Sequence, residues 1–258
     1  MKLVTYRKTK TSKARLGVIN GGQVTDVQKL GLLSESQLPD TMLRLIDLGP
    51  DATFALSNLL NKKETRLPPG ISVPIENVTL LAPIPTPRKN IFGIGLNYVE
   101  HVAESAKNLD TAKDLPTKPV VFSKPPTAVI GTGDSIQHNS KMTQQLDWEV
   151  ELAVIIGTKA TRIEAKNAMD HVFGYSIMND VSARDNRRAG QWIFSKGQDT
   201  FAPFGPCIVT KDEITDPHNL NLWLKKNGVE KQSSNTKHLL FNIPTLISDL
   251  SSGMTLEP

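Results

Sequence analysis

Acidic side chains recur at every second position in front of an apolar run. Asp147, Glu149 and Glu151 lead into residues 152–156, and the run ends at Gly157. Such a run predicts a strand, and residues two apart in a strand lie on the same face. Carboxylates gathered on one buried face repel each other and lose hydration, so they need either solvent or a counter-cation. Spacing alone leaves two interpretations open, a divalent-metal site and an edge strand with a solvated acidic face.

A further metal ligand would have to come from another part of the chain. Asp180 is the best candidate, because it lies in the polar stretch that follows the strand-like residues 173–178. Arg184, four residues later, could hold a carboxylate in bidentate fashion. Lys124 at the end of an apolar strand and Lys196 beside a loop bring further cations to the same half of the chain. Either lysine could equally be an ordinary solvated one, which is the usual fate of lysine.

An imidazole and a carboxylate lie three residues apart in a predicted helix over residues 97–106. His101 and Glu104 would share one face of that helix. A carboxylate beside an imidazole fixes its tautomer and raises its basicity, as a general base requires. The alternative is an incidental pair on a surface helix, and the spacing by itself favours that alternative.

Composition excludes several classes of protein. The chain has 258 residues, 38% of them hydrophobic, which is enough for a sizeable core. It lacks a continuous apolar stretch of the roughly 20 residues that a membrane span needs, and its N-terminus lacks a secretory signal, so we expect a cytoplasmic protein. The net charge of +4 is spread along the chain without basic runs, which argues against nucleic-acid binding. The single cysteine, Cys207, excludes a thiolate metal cluster, so a metal site must be rich in oxygen or contain histidine.

Two regions of different pattern predict the fold. Residues 1–82 contain strand patterns, a hairpin turn at residues 20–22 and two short helices, and predict a small N-terminal α/β domain. Residues 83–258 contain many short strands and two helices, at 97–106 and 163–172. Because strands outnumber helices and do not alternate with them, we expect a β-rich α+β fold.

Five motifs occur in order between residues 90 and 206. They are Gly-Leu-Asn-Tyr-x-x-His-x-x-Glu, Phe-x-Lys-Pro-Pro-Thr, Asp-Trp-Glu-x-Glu-Leu-Ala-Val-x-Ile-Gly, Gly-Tyr-Ser-x-x-Asn-Asp-Val-Ser-Ala-Arg-Asp and Lys-Gly-x-Asp-Thr-Phe-x-Pro-x-Gly-Pro. Together they resemble the fumarylacetoacetate hydrolase family. The resemblance implies a mixed β-sandwich roll, and it implies Glu149, Glu151 and Asp180 as ligands of Mg²⁺ or Mn²⁺.

The resemblance also implies roles for the other candidates. His101 with Glu104 would be the water-activating pair, and Lys196 and Thr236 would anchor substrate. Arg184 would support the metal ligands, and Lys124 would add to a pocket favourable to an anion.

Three departures from the family pattern accompany the resemblance. Arg187 stands where many relatives have glutamine, and Gln198 stands where an apolar or aromatic residue is more usual, which together imply a different contact to the distal half of the substrate. The chain also stops at Pro258, where family members run on through further strands, so we expect the C-terminal end of the domain to be incomplete.

The expected activity is metal-dependent hydrolysis of a carbon–carbon bond. The substrate would be a small 2,4-dioxo acid of the acylpyruvate or fumarylpyruvate type, cleaved through a metal-bound enolate. Oxaloacetate decarboxylation or isomerisation of a 2-oxo diacid would use the same enolate and stays open as an alternative. A non-catalytic binder of 2-oxo acids is a third hypothesis. The resemblance further implies a homodimer that acts on small molecules, without nucleic-acid or membrane partners.

Overall fold

Short strands make up most of the regular structure. The computed structural model describes residues 1–34, 36–61, 68–98, 115–188 and 190–258. The strands are β1 (Lys2–Arg7), β2 (Arg15–Asn20), β3 (Gln23–Asp26), β4 (Ser72–Pro74), β5 (Thr79–Leu80), β6 (Ile91–Gly95), β7 (Val120–Lys124), β8 (Val129–Ile130), β9 (Leu146–Asp147), β10 (Val150–Ile156), β11 (Val172–Asn179), β12 (Ser182–Ala183), β13 (Ala202–Pro203), β14 (Ile208–Thr210), β15 (Asn221–Lys226) and β16 (Val229–Asn235). The helices are α1 (Val27–Leu33), α2 (Met42–Asn61), α3 (Ile193–Lys196) and α4 (Ile243–Gly253).

One large antiparallel sheet organises these elements. Its strand order is β10-β11-β14-β1-β2-β3-β4, and β5 also pairs with β1. Four separate strand pairs surround it: β6 with β7, β9 with β12, β8 with β13, and β15 with β16. The β8–β13 pair is parallel, so pairing across the fold is mixed. The predicted β-rich α+β class is confirmed, because these helices are fewer than the strands and do not alternate regularly with them.

The N-terminal region forms the hairpin and the interrupted helix that its sequence predicts. Gly21 and Gly22 both have positive φ, as the tight β2–β3 turn requires. Within α2, Gly49 leaves the helical conformation at φ 74°, immediately before Pro50. The kink therefore divides α2 into the two short helices expected on either side of this pair.

Pairing in the large sheet crosses the expected domain boundary at residue 82. Strand β1 pairs with β14, so that Leu3 lies opposite Ile208. The main apolar core also combines side chains from both regions, including Leu16, Met178 and Phe204. The division into an N-terminal unit and a catalytic unit stays a prediction, and the two regions share this sheet and core.

Two helix predictions have different outcomes. The helix expected over residues 163–172 is present in a different form and with shorter bounds, as a 3₁₀ helix at Ala165–His171 that is followed at once by β11. Of the helix expected over residues 97–106, Tyr98 forms a β-bridge with Leu239, and residues 99–106 lie outside the described residues. Within the described ranges, no helix is both long and apolar enough to cross a bilayer.

Gly174 on β11 generates a first prediction. A Cβ added there would lie 2.3 Å from the carbonyl oxygen of Val209 on β14, a backbone atom that cannot move aside alone. We expect Gly174→Ala to separate the two strands and to lower the free energy of unfolding by about 1–3 kcal/mol. Gly253→Ala is the control, because a Cβ there meets nothing within 4 Å. Urea unfolding of both variants measures the difference, and equal stabilities would contradict the close approach.

Candidate active site

The register of β10 and β11 brings the acidic motif next to Asp180, the further ligand expected from the sequence. The strands are antiparallel, with Val150 opposite Asn179 and Glu151 opposite Met178. One step further along the pair, the Asp180 backbone N–H donates to the Glu149 carbonyl at 2.7 Å. The end of one strand and the beginning of the other therefore place Glu149 and Asp180 side by side.

Lys196 lies between these two carboxylates. Its ammonium is 2.6 Å from Glu149 Oε2 and 2.7 Å from Asp180 Oδ2, and the side chain is only 2% exposed. The ammonium also lies 5.0 Å from the ring centroid of Phe122, at a distance typical of a cation–π contact. Helix α3, which ends at this lysine, thus supplies a buried cation to the acidic pair.

Lys124 occupies the other side of Asp180. Its Nζ is 2.6 Å from Asp180 Oδ1, and it donates to the backbone carbonyls of Val181 at 3.1 Å, Lys196 at 2.5 Å and Phe201 at 2.8 Å. An ammonium has three hydrogens, and the three carbonyls use all of them. Asp180 Oδ1 consequently accepts no hydrogen bond from the described part of the chain. Burial lowers the pKa of Lys124 to about 8, although Asp180 opposes the shift.

Arg184 connects the first two acidic residues of the motif. Its Nε donates to Asp147 Oδ2 at 2.9 Å, and its Nη1 lies 2.6 Å from Glu149 Oε1. Burial opposes ionisation of Glu149, but Lys196 and Arg184 outweigh it and lower the pKa of Glu149 to about 2. The carboxylate form of Glu149 is therefore favoured. Asp147 contacts Arg184 and is linked to Glu149 through that guanidinium.

Glu151 is in the opposite situation. Burial, together with the charges of Glu149 and Asp180, raises its pKa from 4.5 to about 8, and the attraction of Lys196 offsets only part of this. The carboxyl lines two adjoining cavities, one of about 320 Å³ and one of about 30 Å³. The large cavity has mostly apolar walls and also reaches Lys124 and Asp180. Glu151 is thus an acidic group at a cavity wall that lacks sufficient positive charge beside it.

The donor chemistry of this cluster fits a hard divalent cation. The pKa of Glu149 is lowered, Glu151 lacks a compensating charge, and Asp180 Oδ1 pairs with Lys124 by charge but accepts no hydrogen bond within the described part of the chain. Mg²⁺ and Mn²⁺ prefer such oxygen ligands. Among the described residues, however, no three metal-binding side chains already surround one point. The Lys196 ammonium lies between the carboxylates of Glu149 and Asp180.

The remaining predicted residues are placed differently. Thr236 is buried, and its hydroxyl donates to the Pro217 carbonyl and accepts from the Leu220 N–H, each at 2.8 Å. These bonds secure the base of the β15–β16 hairpin, and a role for Thr236 toward substrate stays a prediction. His101 and Glu104 lie outside the described residues, so their pairing also stays a prediction.

The structure adds residues that pattern reasoning did not assign to the site. The small cavity is lined by Glu149, Glu151 and Lys196, and also by Tyr98, Arg187 and Trp192. The only signal in the sequence was that Arg187 departs from the family pattern. Trp192 carried no signal, because an aromatic residue in a loop is more often simply packed.

Comparison with known proteins connects this arrangement to a family. The family model described as "Fumarylacetoacetate (FAA) hydrolase C-terminal" matches residues 90–258. Oxaloacetate tautomerase YisK of Bacillus subtilis (strain 168) is 38% identical over 245 residues, which cover 93% of this chain and 80% of the relative.

Solved structures agree in fold. A fumarylacetoacetate hydrolase from Exiguobacterium antarcticum is 36% identical, with a TM-score of 0.77 over 100% of this chain and 83% of the other. Maleylpyruvate hydrolase from Sphingobium sp. SYK-6, in complex with manganese(II) and pyruvate, is 30% identical, with a TM-score of 0.76 over 100% of this chain and 85% of the other. The expected fold of this family is confirmed.

Glu151 generates the second prediction. Its folded-state pKa lies above the ordinary value, so the metal-free protein should lose stability as pH rises from about 4.5 to about 8. Glu151→Gln removes this penalty, and we expect the metal-free variant to melt several degrees above wild type near pH 8.5. The same variant should lose the stabilisation that Mg²⁺ or Mn²⁺ gives to wild type, because it lacks one ligand.

Thermal unfolding in chelator and in added metal, at about pH 6 and about pH 8.5, measures both effects. Glu230→Gln, at an exposed position of the hairpin, is the control and should match wild type throughout. Metal stabilisation retained in Glu151→Gln would contradict the ligand assignment. Wild-type stability that rises across this pH range, with no change in the variant, would contradict the raised pKa.

Proposed function

Because the chain belongs to the fumarylacetoacetate hydrolase family and is an enzyme of that family, we propose that it interconverts the keto and enol forms of a small 2-oxo acid of the oxaloacetate type. The observation that carries this proposal is the buried cluster in which Glu149, Glu151 and Asp180 adjoin a cavity and Lys196 lies among them. The similarity to the Bacillus subtilis oxaloacetate tautomerase supports the choice of reaction. For this reason we propose isomerisation first, ahead of the hydrolysis expected from the sequence.

Glu149, Glu151 and Asp180 would hold a divalent cation. When bound, Mg²⁺ or Mn²⁺ supplies Lewis-acid polarisation of a 2-oxo carbonyl and offsets the charge of the three carboxylates. The manganese(II) in the similar maleylpyruvate hydrolase supports a metal of this kind. The identity of the metal in this chain is part of the proposal.

Lys196 would act as a hydrogen-bond donor in this site. Its Nζ keeps its hydrogens directed at Glu149 Oε2 and Asp180 Oδ2. From this position the ammonium would donate a hydrogen bond to a substrate oxygen that gains negative charge, while Glu149, Glu151 and Asp180 would hold the cation. Such a donor is most effective in a site from which water is excluded, and the burial of Lys196 meets this condition.

The neighbouring cations Arg184 and Lys124 would position the carboxylates of the site. Arg184 fixes Glu149 through its Nη1, and Lys124 fixes the loop carbonyls around Asp180. Both side chains use their donors within the protein, so their contribution to substrate binding would come mainly through the positive field of the site. The apolar walls of the large cavity would keep water from the enol and so limit side reactions.

Carbon–carbon bond hydrolysis is the second candidate. The similarity to maleylpyruvate hydrolase favours it, and His101 with Glu104 would then activate the attacking water. Decarboxylation of oxaloacetate would proceed from the same cluster without that pair. All the relatives named above carry the names of enzymes, which argues against the non-catalytic binder. The expected homodimer is retained as part of this proposal.

A substrate panel tests the reaction. Full-length protein with Mg²⁺ or Mn²⁺ should accelerate the approach of oxaloacetate to its keto–enol equilibrium, followed by the ultraviolet absorbance of the enol. Acetylpyruvate and fumarylpyruvate report hydrolysis in parallel, and release of CO₂ reports decarboxylation. Faster cleavage of an acylpyruvate, with no effect on oxaloacetate tautomerisation, would replace the first proposal by the second.

Lys196→Met generates a prediction with two opposite readouts. Loss of the ammonium should lower kcat by about 100-fold or more, because a donor to the developing charge is removed. Affinity for Mg²⁺ should rise at the same time, because the ammonium no longer competes for the oxygens of Glu149 and Asp180. Calorimetry and kinetics in metal-containing buffer measure the two changes, with Lys159→Met at an exposed position as the control. Unchanged kcat would show that Lys196 only balances charge.

A further inference from the structure

Arg187 is a half-buried cation, and two of its donor nitrogens have no partner within the described part of the chain. It follows the 3₁₀ turn at Arg184–Asn186 and lines the small cavity together with Glu149, Glu151 and Lys196. Its Nε and Nη1 are both buried, and neither donates a hydrogen bond within the described part of the chain. Buried N–H donors of a charged guanidinium are costly unless they are paired. The arrangement therefore favours an acceptor that enters the cavity from outside the protein.

An aromatic clamp holds Arg187 at this position. The guanidinium carbon lies 4.9 Å from the ring centroid of Trp192, and Trp192 packs against Phe122 with centroids 5.5 Å apart. Gly95 makes room for the indole, since a Cβ there would lie 2.4 Å from a Trp192 ring carbon. The side chain is thus stacked on a ring that is itself fixed, which reduces the entropy lost when a ligand binds.

The other cations of the site already have partners. Lys124 donates to three backbone carbonyls, Arg184 holds Asp147 and Glu149, and Lys196 bridges two carboxylates. Among these described cations of the site, Arg187 is the one with buried donors left over. A planar guanidinium with free N–H groups matches a carboxylate, which it can bind through two parallel hydrogen bonds.

The charge of the site agrees with an anionic ligand. Among the described residues of the site, four carboxylates are balanced by four cations, so that the formal charges of these eight groups cancel. The members are Asp147, Glu149, Glu151, Asp180, Lys124, Arg184, Arg187 and Lys196. A divalent cation at the proposed centre would leave an excess of two positive charges, which a ligand with two carboxylates would neutralise.

We propose that Arg187 binds the second carboxylate of a dicarboxylic 2-oxo acid and thereby selects diacids over monoacids. The inference rests on the proposed function for the position of the 2-oxo acid end, beside Glu149, Glu151 and Asp180. The small cavity joins that end to the guanidinium, because Glu149 and Glu151 line it together with Arg187. Arg187 is then a specificity-determining residue, while the enol chemistry belongs to the carboxylate cluster.

Arg187→Gln tests the assignment through ligand binding. Calorimetry with Mg²⁺-loaded protein compares oxaloacetate with pyruvate, which has the 2-oxo acid group but no second carboxylate. Wild type should bind oxaloacetate more tightly than pyruvate. The variant should bind oxaloacetate about 10- to 100-fold more weakly, because a charge-assisted pair is lost, while its affinity for pyruvate stays within about twofold. Arg187→Lys should keep a weaker preference for the diacid.

Arg188→Gln is the matched control. Arg188 is the next residue, is exposed and lies 3.9 Å above the ring of Phe194, so its substitution should leave both affinities unchanged. Equal weakening of both ligands in Arg187→Gln, or no weakening of either, would overturn the assignment. If Arg187→Gln does not fold, the wild-type protein alone tests the assignment. A wild-type affinity for oxaloacetate that is no higher than its affinity for pyruvate also overturns the assignment.

Failure of the two proposals can be told apart. Wild-type protein that turns over no 2-oxo acid, yet loses its diacid preference in Arg187→Gln, would retain the binding role and refute the proposed reaction. Turnover of oxaloacetate with a KM that does not change in Arg187→Gln would retain the reaction and refute the role of Arg187. A KM for oxaloacetate raised about 10-fold or more in the variant supports both.

Discussion

Several carboxylates lie close together inside this protein, and the other features of the fold depend on this constraint. The antiparallel register of β10 and β11 brings Glu149 beside Asp180, and Glu151 follows two residues later on the same strand. Several carboxylic acid groups in one buried site cannot all ionise unless cations lie nearby. The opposite pKa shifts of Glu149 and Glu151 show this directly, since only Glu149 has ion pairs with both Lys196 and Arg184.

The rest of the architecture supplies those cations from separate elements. Lys124 ends β7, Lys196 ends α3, and Arg184 follows β12. The cations beside the carboxylate cluster therefore come from three separate elements of the fold. A buried ion network of this kind contributes little net stability, because desolvation offsets most of the attraction. Its value lies in a defined arrangement of charges, which the proposed cation and 2-oxo acid would enter.

A site of this type suits the range of reactions found among similar proteins. Tautomerase and hydrolase are both represented among them, and both act on small oxo acids. Stabilising negative charge on the oxygen of a 2-oxo acid is useful to each reaction. In this chain the residue proposed to contact the distal half of the substrate is Arg187, which lines the small cavity beside the large apolar one.

The sequence by itself determined the β-rich class, the hairpin at Gly21, the break before Pro50 and the acidic motif, because these follow from local alternation, turn chemistry and spacing. Ordered motifs likewise indicated the family. The sequence did not determine that residues 165–171 form a 3₁₀ helix, since the strand that follows competes with a weak helical pattern. Nor did it determine which cation meets which carboxylate. Only the tertiary structure decided that Lys196 lies between two carboxylates and that Arg187 keeps unused donors, because long-range strand register and loop packing control those contacts.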